Sequence, residues 1–408
     1  MPNTQAASRF LIELGRSGRL IVAARALRTF GYGCTSVLLA ELLAQDGDDP
    51  WQTGLLLSLA SAGSVVASLT LGLFADRWGR RRTLIACGCL MAVAGVAFAL
   101  SESYPILLAA AFIGTISPST NDNTPFSGVE QSILAQTCDP RRHTTVFTCY
   151  NVTAMAAGAL GALAAAALAL QPWVTAADAA FALYALLAVC TVLLFWRLSP
   201  EAEAPPSPRH RQGRHRVRVP GPVRRLAALF ALDAFSGGLA VQSILAWWFA
   251  QRYGATSAQL GLVFFAANLL PALAQLTAPF LASRRGLLAA MLLPHLAANL
   301  LLAAIPFAPT LGSAVTLLLL RQTLSKIDVP ARQAFTAAIV PPAHRTTAAS
   351  MTSVARSVAV SVSPLAATTL FTGALVILGA PLLIGAALGI GYDITLWCAY
   401  RAAPMAEG

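Results

Sequence analysis

The sequence predicts an all-α integral membrane protein, and three observations carry that prediction. Apolar residues make up 57% of the 408-residue chain and charged residues only 11%, where soluble domains carry about a quarter charged. The mean hydropathy is +0.66. Uncharged runs such as Gly54 to Phe74 and Leu84 to Leu100 approach the roughly 20 residues that cross a hydrocarbon core. With no water there to satisfy backbone groups, such runs form helices or a closed barrel. Runs such as Leu287 to Leu302 do not alternate polar with apolar, so the spans are helical.

Polar breaks divide the chain into twelve expected spans: 20–44, 52–74, 84–100, 105–120, 144–170, 175–196, 225–250, 257–281, 287–305, 312–328, 347–371 and 376–399. The segment 198–224, rich in Pro, Arg and Glu, has no apolar period and reads as a flexible cytoplasmic linker. It separates an amino-terminal six-helix bundle (1–197) from a carboxy-terminal one (225–408). The halves also repeat. A shift of 202 residues lays Glu130-Gln131 on Arg332-Gln333 and Thr144-Thr145 on Thr346-Thr347; a shift near 207 lays Ala75 to Gly79 on Ala282 to Gly286. Two pseudo-symmetric bundles are therefore expected.

The net charge of +11 has a topological explanation. Arginines collect at Arg77/Arg80/Arg81/Arg82, Arg141/Arg142, Arg209 to Arg225, Arg284/Arg285 and Arg345, on alternate loops. The positive-inside rule puts those loops and both termini in the cytoplasm of a multi-pass inner-membrane protein, and nucleic acid is not an expected partner. The intervening loops, with Asp46, Asp48, Asp49 and Glu102, are acidic or neutral apart from Arg252. The amino-terminal stretch with Arg9, Arg16, Arg19 and Arg25 is amphipathic and shows no cleavable leader. Seven scattered cysteines without a CxxC pair argue for free thiols, with no disulfide framework and no metal site. No phosphate-binding loop and no nucleophile–base set is present, so neither a nucleotide nor another cofactor is expected, and an enzyme is disfavoured.

The most specific stretch is Gly72-Leu73-Phe74-Ala75-Asp76-Arg77-Trp78-Gly79-Arg80-Arg81-Arg82-Thr83-Leu84. Gly72 allows close helix approach and Gly79 a tight turn. Asp76 sits near the start of the next helix, where an anion is favoured, and the arginines hold the loop at an anionic membrane face. This stretch resembles the signature loop between the second and third helices of the major facilitator superfamily, G-x-L-a-D-r-x-G-r-r-x-x-l. Gly72, Asp76, Arg77, Gly79, Arg80 and Leu84 match, and Phe74 replaces the usual leucine.

The resemblance implies two rocking bundles, a monomer surrounded by lipid, and alternating access of a small-molecule substrate to a central cavity. It also implies a gate role for the loop, with the span starting near Thr346 as partner of Asp76. The second copy has Ser283 in place of the acid. Proton-coupled efflux of a small organic compound is the expected activity. Uptake of a metabolite is the alternative if an anion binds through Arg28, Arg321 or Arg356, and a non-transporting sensor is the alternative from another class. The glycine- and proline-rich fifth helix of antiporters is present only as Gly158-Ala159-Leu160-Gly161, without the following proline.

Ionisable residues inside spans are costly and become functional candidates. Arg28 and Asp233 occupy comparable depths in the two halves, either as a structural pair between them or with Asp233 as a titrating or substrate-contacting carboxylate. Glu130, Asp328, Arg332 and Arg356 form an expected cytoplasmic network, in which Glu130 and Arg332 pair; a solvated helix end is the plainer reading. Tyr32 shares a face with Arg28, Thr35 and Leu39. With Tyr150, Asn151, Gln242, Asn268, Gln275 and Gln322 it offers an amphiphilic cavity lining, each residue alone being as compatible with a helix–helix hydrogen bond. His295 and Asn299 sit one turn apart and read as packing or an interhelical hydrogen bond rather than a proton relay.

Overall fold

The computed structural model describes residues 15–45, 50–114, 125–137, 143–171, 175–203, 221–339, 345–370 and 378–401. Among them every regular element is helical. The first half contains α1 (Gly15–Gln45), α2 (Pro50–Trp78), α3 (Arg80–Leu100), α4 (Tyr104–Ile113), α5 (Pro125–Thr137), α6 (His143–Leu168) and α7 (Ala176–Trp196). The second contains α8 (Gly221–Gly238), α9 (Gln242–Tyr253), α10 (Ser257–Ala274), α11 (Ala278–Ala304), α12 (Leu311–Leu324), α13 (Asp328–Ile339), α14 (Arg345–Thr369) and α15 (Ala380–Tyr400).

Among the described residues seven helical stretches are long and apolar enough to cross a membrane, Arg80–Leu100, Ala176–Trp196 and Val223–Tyr253 among them. Large apolar side chains such as Leu100, Leu186, Leu193 and Leu300 stand exposed. Water would disfavour that surface, and lipid accepts it. Local chemistry fixes several ends. Gly254 closes α9 in the left-handed conformation, φ 65°. Thr256 with Gln259 opens α10, and Thr310 with Ser313 opens α12, each as a reciprocal cap.

Two helices lie outside the expected spans. Residues 121–143 and 329–346 read as loops because Glu130, Gln131, Arg332 and Gln333 depress their hydropathy. The structure instead makes Pro125–Thr137 and Asp328–Ile339 helical, with Glu130 and Asp328 buried. Their charges are paired inside the protein, so hydropathy alone misplaces them. Likewise α8 begins at Gly221, ahead of the seventh span's expected start at 225.

Two turns repeat across the halves. Gly79, before α3, has φ 106°, and its counterpart Gly286, inside α11, has φ 78° with non-helical geometry. Only glycine adopts such angles without strain.

The chain divides into two compact units, Met1–Leu38 with Leu59–His215, and Leu39–Ser58 with Arg216–Gly408. The first is centred on Ile21, Leu84, Phe126, Ile133, Tyr150 and Phe195, and the second on Leu226, Phe230, Met291, Phe335, Tyr392 and Leu396. In the first unit α1 and α6 meet backbone to backbone: a Cβ on Gly33 would overlap the Gly158 carbonyl oxygen, and one on Gly161 would overlap that of Phe30. The Gly158–Gly161 stretch, which resembles an antiporter motif only weakly, thus has a packing role.

Candidate functional site

In the first unit the charge cluster is built from α1, α5 and α6. Arg28, one turn along α1 from Arg25, is fully buried and grips the fully buried Glu130 with both guanidinium ends, Nη1 to Oε1 at 2.5 Å and Nη2 to Oε2 at 3.0 Å. A fork of this kind matches a carboxylate in geometry as well as charge. The Tyr150 hydroxyl donates to Glu130 Oε2 at 2.6 Å and accepts from Arg25 Nη1 at 2.7 Å. Aromatic faces complete the shell, Phe126 lying 4.1 Å from the Arg28 guanidinium and Tyr150 3.9 Å from that of Arg25.

In the second unit the cluster is larger and draws on five helices. Asp233 of α8 accepts from Arg332 Nη1 of α13 at 2.8 Å and from Arg356 Nη1 of α14 at 2.7 Å, both through Oδ2. Its Oδ1 lies 3.1 Å from His295 Nε2 of α11. The other ring nitrogen, Nδ1, is 2.8 Å from Asp393 Oδ1 of α15, and Asn299 donates to Asp393 Oδ2 at 3.2 Å. Arg332 also faces Asp328 at 3.6 Å. Lys326 lies within electrostatic reach of Asp328, Arg321, Arg332 and Arg356.

Close backbone approach holds this arrangement. A Cβ on Gly389 would meet Asn299 Nδ2 at 2.5 Å, so that glycine makes room for the amide. The Ser236 hydroxyl donates to the Gly385 carbonyl at 2.8 Å, tying α8 to α15.

Within the first unit Arg28 finds its carboxylate in Glu130, and within the second Asp233 finds its cations in Arg332 and Arg356. Asp328, Arg332 and Arg356 do come together, with Asp233 as the hub. His295 makes an interhelical hydrogen bond, but to two carboxylates. Asp393 escaped the sequence reading because it sits singly in an otherwise apolar span; its one signal was the charge itself.

The polar lining candidates separate. Asn268 donates to Gln242 at 3.1 Å, which joins two of them. Gln322 accepts from Arg321 at 2.7 Å. Gln275 donates to the Lys326 carbonyl at 3.5 Å. Tyr32 is fully buried with its ring 6.0 Å from that of Tyr184, and Asn151 is exposed.

In the loop motif, the surroundings of Gly72 and the side chains of Asp76 and Arg77, and of Ser283 in the second copy, lie outside what the structure describes. Gly79 and Arg80 are described. Glu203 accepts from the backbone N–H groups of Arg80 and Arg81 at 2.7 and 3.2 Å, so an acid from the segment after α7 caps α3. Arg80 Nη1 donates to Gln136 at 2.7 Å, and Gln136 donates in turn to the carbonyls of Glu201 and Glu203.

Comparison with known proteins decides the family. Residues 21–364 match the profile of the Major Facilitator Superfamily. The chain belongs to that superfamily. Among curated proteins, a stretch of 120 residues is 37% identical to the uncharacterized membrane protein YJR124C of Saccharomyces cerevisiae, covering 29% of this chain and 27% of the yeast protein. The match thus spans about a quarter of that relative's length.

Solved structures of the superfamily share the fold. The nucleoside transporter NupG superposes with a TM-score of 0.72 at 16% identity over 95% of this chain and 99% of its own. The xylose transporter XylE from E. coli, inward open, gives 0.71 at 14% over 95% and 96%. The human organic anion transporter MFSD10 gives 0.63 at 20% over 94% and 99%. Membership makes this chain a multi-pass membrane protein of that superfamily.

Proposed function

We propose that this superfamily member is a proton-coupled secondary transporter of the cytoplasmic membrane that exports a small organic compound by alternating access. The observation that carries the proton coupling is the linked set of titratable groups in the second unit, the buried Asp233 and Asp393 and the half-buried His295, joined to Arg332 and Arg356. Buried ionisable groups inside spans are retained against a large desolvation cost when they serve transport. Export rests on the resemblance of the Gly72–Leu84 loop, and the inner-membrane topology with cytoplasmic termini rests on the arginine-rich loops. Under this reading the protein works as a monomer, and the Gly72–Leu84 loop serves as its gate.

A second reading has its own observation. Arg321, Lys326, Arg332 and Arg356 outnumber Asp233 and Asp328 in one region of the second unit, which favours a solute bearing a negative charge and is compatible with uptake of an anionic metabolite. The superposed structures are titled for a nucleoside, xylose and an organic anion, so the shared fold leaves the solute open.

Proton flux in proteoliposomes, driven by a panel of anionic, neutral and cationic compounds, tests both readings. Flux with one class, lost in D76N and D233N, is the expected result. Folded protein that moves no proton with any compound would overturn the coupling.

A further inference from the structure

We infer that Asp233, His295 and Asp393 form a proton store, one proton held between two carboxylates across α8, α11 and α15. Its place in a transport cycle rests on the reading above, but the proton count follows from geometry and hydrogen-bond chemistry.

A neutral imidazole has one N–H donor and one bare acceptor nitrogen, and an ionised carboxylate only accepts. Here both ring nitrogens face carboxylate oxygens, Nε2 at 3.1 Å from Asp233 and Nδ1 at 2.8 Å from Asp393, and the Asn299 amide nitrogen lies 3.2 Å from both Nδ1 and Asp393 Oδ2. With both acids ionised and the ring neutral, one of these contacts would set lone pair against lone pair in a buried site. Such an unmatched contact is costly where water cannot relieve it. One additional proton removes the conflict, either as an imidazolium donating at both nitrogens or as a carboxylic acid donating to the ring.

The surroundings confine that proton to the two inner contacts. The outer oxygen of Asp233 accepts from Arg332 and Arg356, and the outer oxygen of Asp393 accepts from Asn299. Neither outer oxygen has need of a further donor. Asp328 and Lys326 lie beyond Arg332. The Tyr392 ring meets His295 edge-on at 5.7 Å between centroids.

Release of the proton breaks one ring N–H or carboxyl O–H bond, leaves its electron pair on the triad and passes the proton to water. One inner contact, Nε2–Asp233 or Nδ1–Asp393, then loses its attraction, while the outer oxygens stay held by Arg332, Arg356 and Asn299. Proton occupancy is in this way tied to how His295 of α11 holds α8 and α15 together.

The test uses the full-length protein in lipid nanodiscs, with nitrogen-15 in its five histidines and the His295 resonances assigned by their loss in H295Q. At neutral pH the expected result is either a His295 ring protonated on both nitrogens, or an infrared band of a protonated carboxyl group that D393N or D233N removes. In D393N the asparagine amide can donate to Nδ1 while Nε2–H donates to Asp233, so the additional proton is expected to leave and the ring to carry one. A singly protonated ring with no such carboxyl band in the parent protein overturns the store, as does a doubly protonated parent ring that stays doubly protonated in D393N. These readouts need no transported compound. A store without flux would break the transport reading alone, and flux without a store would break this one alone.

Discussion

Arg28 and Glu130 form a two-pronged ion pair with both side chains fully shielded from solvent. Removing one member strands the other. In soluble proteins, breaking a buried pair costs about 3–5 kcal/mol, whereas replacing both members with apolar residues is often neutral. Glu130→Gln is expected to lower the thermal unfolding temperature in detergent sharply, and Arg28→Met with Glu130→Leu to recover much of the loss. A double variant no more stable than the single one would count against this account.

The two cations on Asp233 are expected to be unequal in what they do. Arg332 also answers Asp328, so its loss leaves two acids short of a partner, while loss of Arg356 leaves Asp233 with Arg332 and His295. A hydrogen bond to a charged group contributes about 1.5–3 kcal/mol, and about 1.4 kcal/mol is tenfold in an equilibrium. Arg356→Gln is expected to fold normally, with flux reduced tenfold or more. Arg332→Gln should also lower the folded yield, as read by size-exclusion chromatography.

Substitutions at the α1–α6 contact are expected to act through packing. Gly33→Ala and Gly161→Ala each place a methyl group where a carbonyl oxygen already sits, and overpacking costs about 1–3 kcal/mol. Gly128→Ala, with nothing within 4 Å of the added carbon, is the neutral control. Equal unfolding temperatures for all three would refute the contact.

Glu203 is expected to matter for stability and little for flux. It satisfies two backbone donors at the start of α3, a capping role that contributes about 1 kcal/mol. Glu203→Ala should lower the unfolding temperature by a few degrees. Gly79→Ala should cost more, since its φ of 106° is strained for any residue with a Cβ.

The fold was legible because spans announce themselves by length and apolarity, and the family because the Gly72–Leu84 loop is specific. Two helices were lost to their own charges. Glu130 in α5 and Arg332 in α13 depress hydropathy just where pairing holds them inside the protein, so a scale that scores residues singly cannot see them. The site was legible as a set of charged positions but not as a set of pairs. Each candidate acid and arginine could be named from sequence, yet choosing Glu130 for Arg28 needs the neighbour relations of α1 and α5. Asp393 offered no pattern to the eye, because its partners His295 and Asn299 lie 98 and 94 positions away in the chain.

The Gly33–Gly158 and Gly161–Phe30 contacts have a mechanical consequence. Two backbones pressed together with no side chain between them have no slack in which to slide or roll, so α1 and α6 behave as a welded strut. Arg28 rides on one and Tyr150 on the other, and Glu130 is clasped by both. Whatever motion carries solute across, this corner of the protein must travel as one piece, and the bending has to come from other helices.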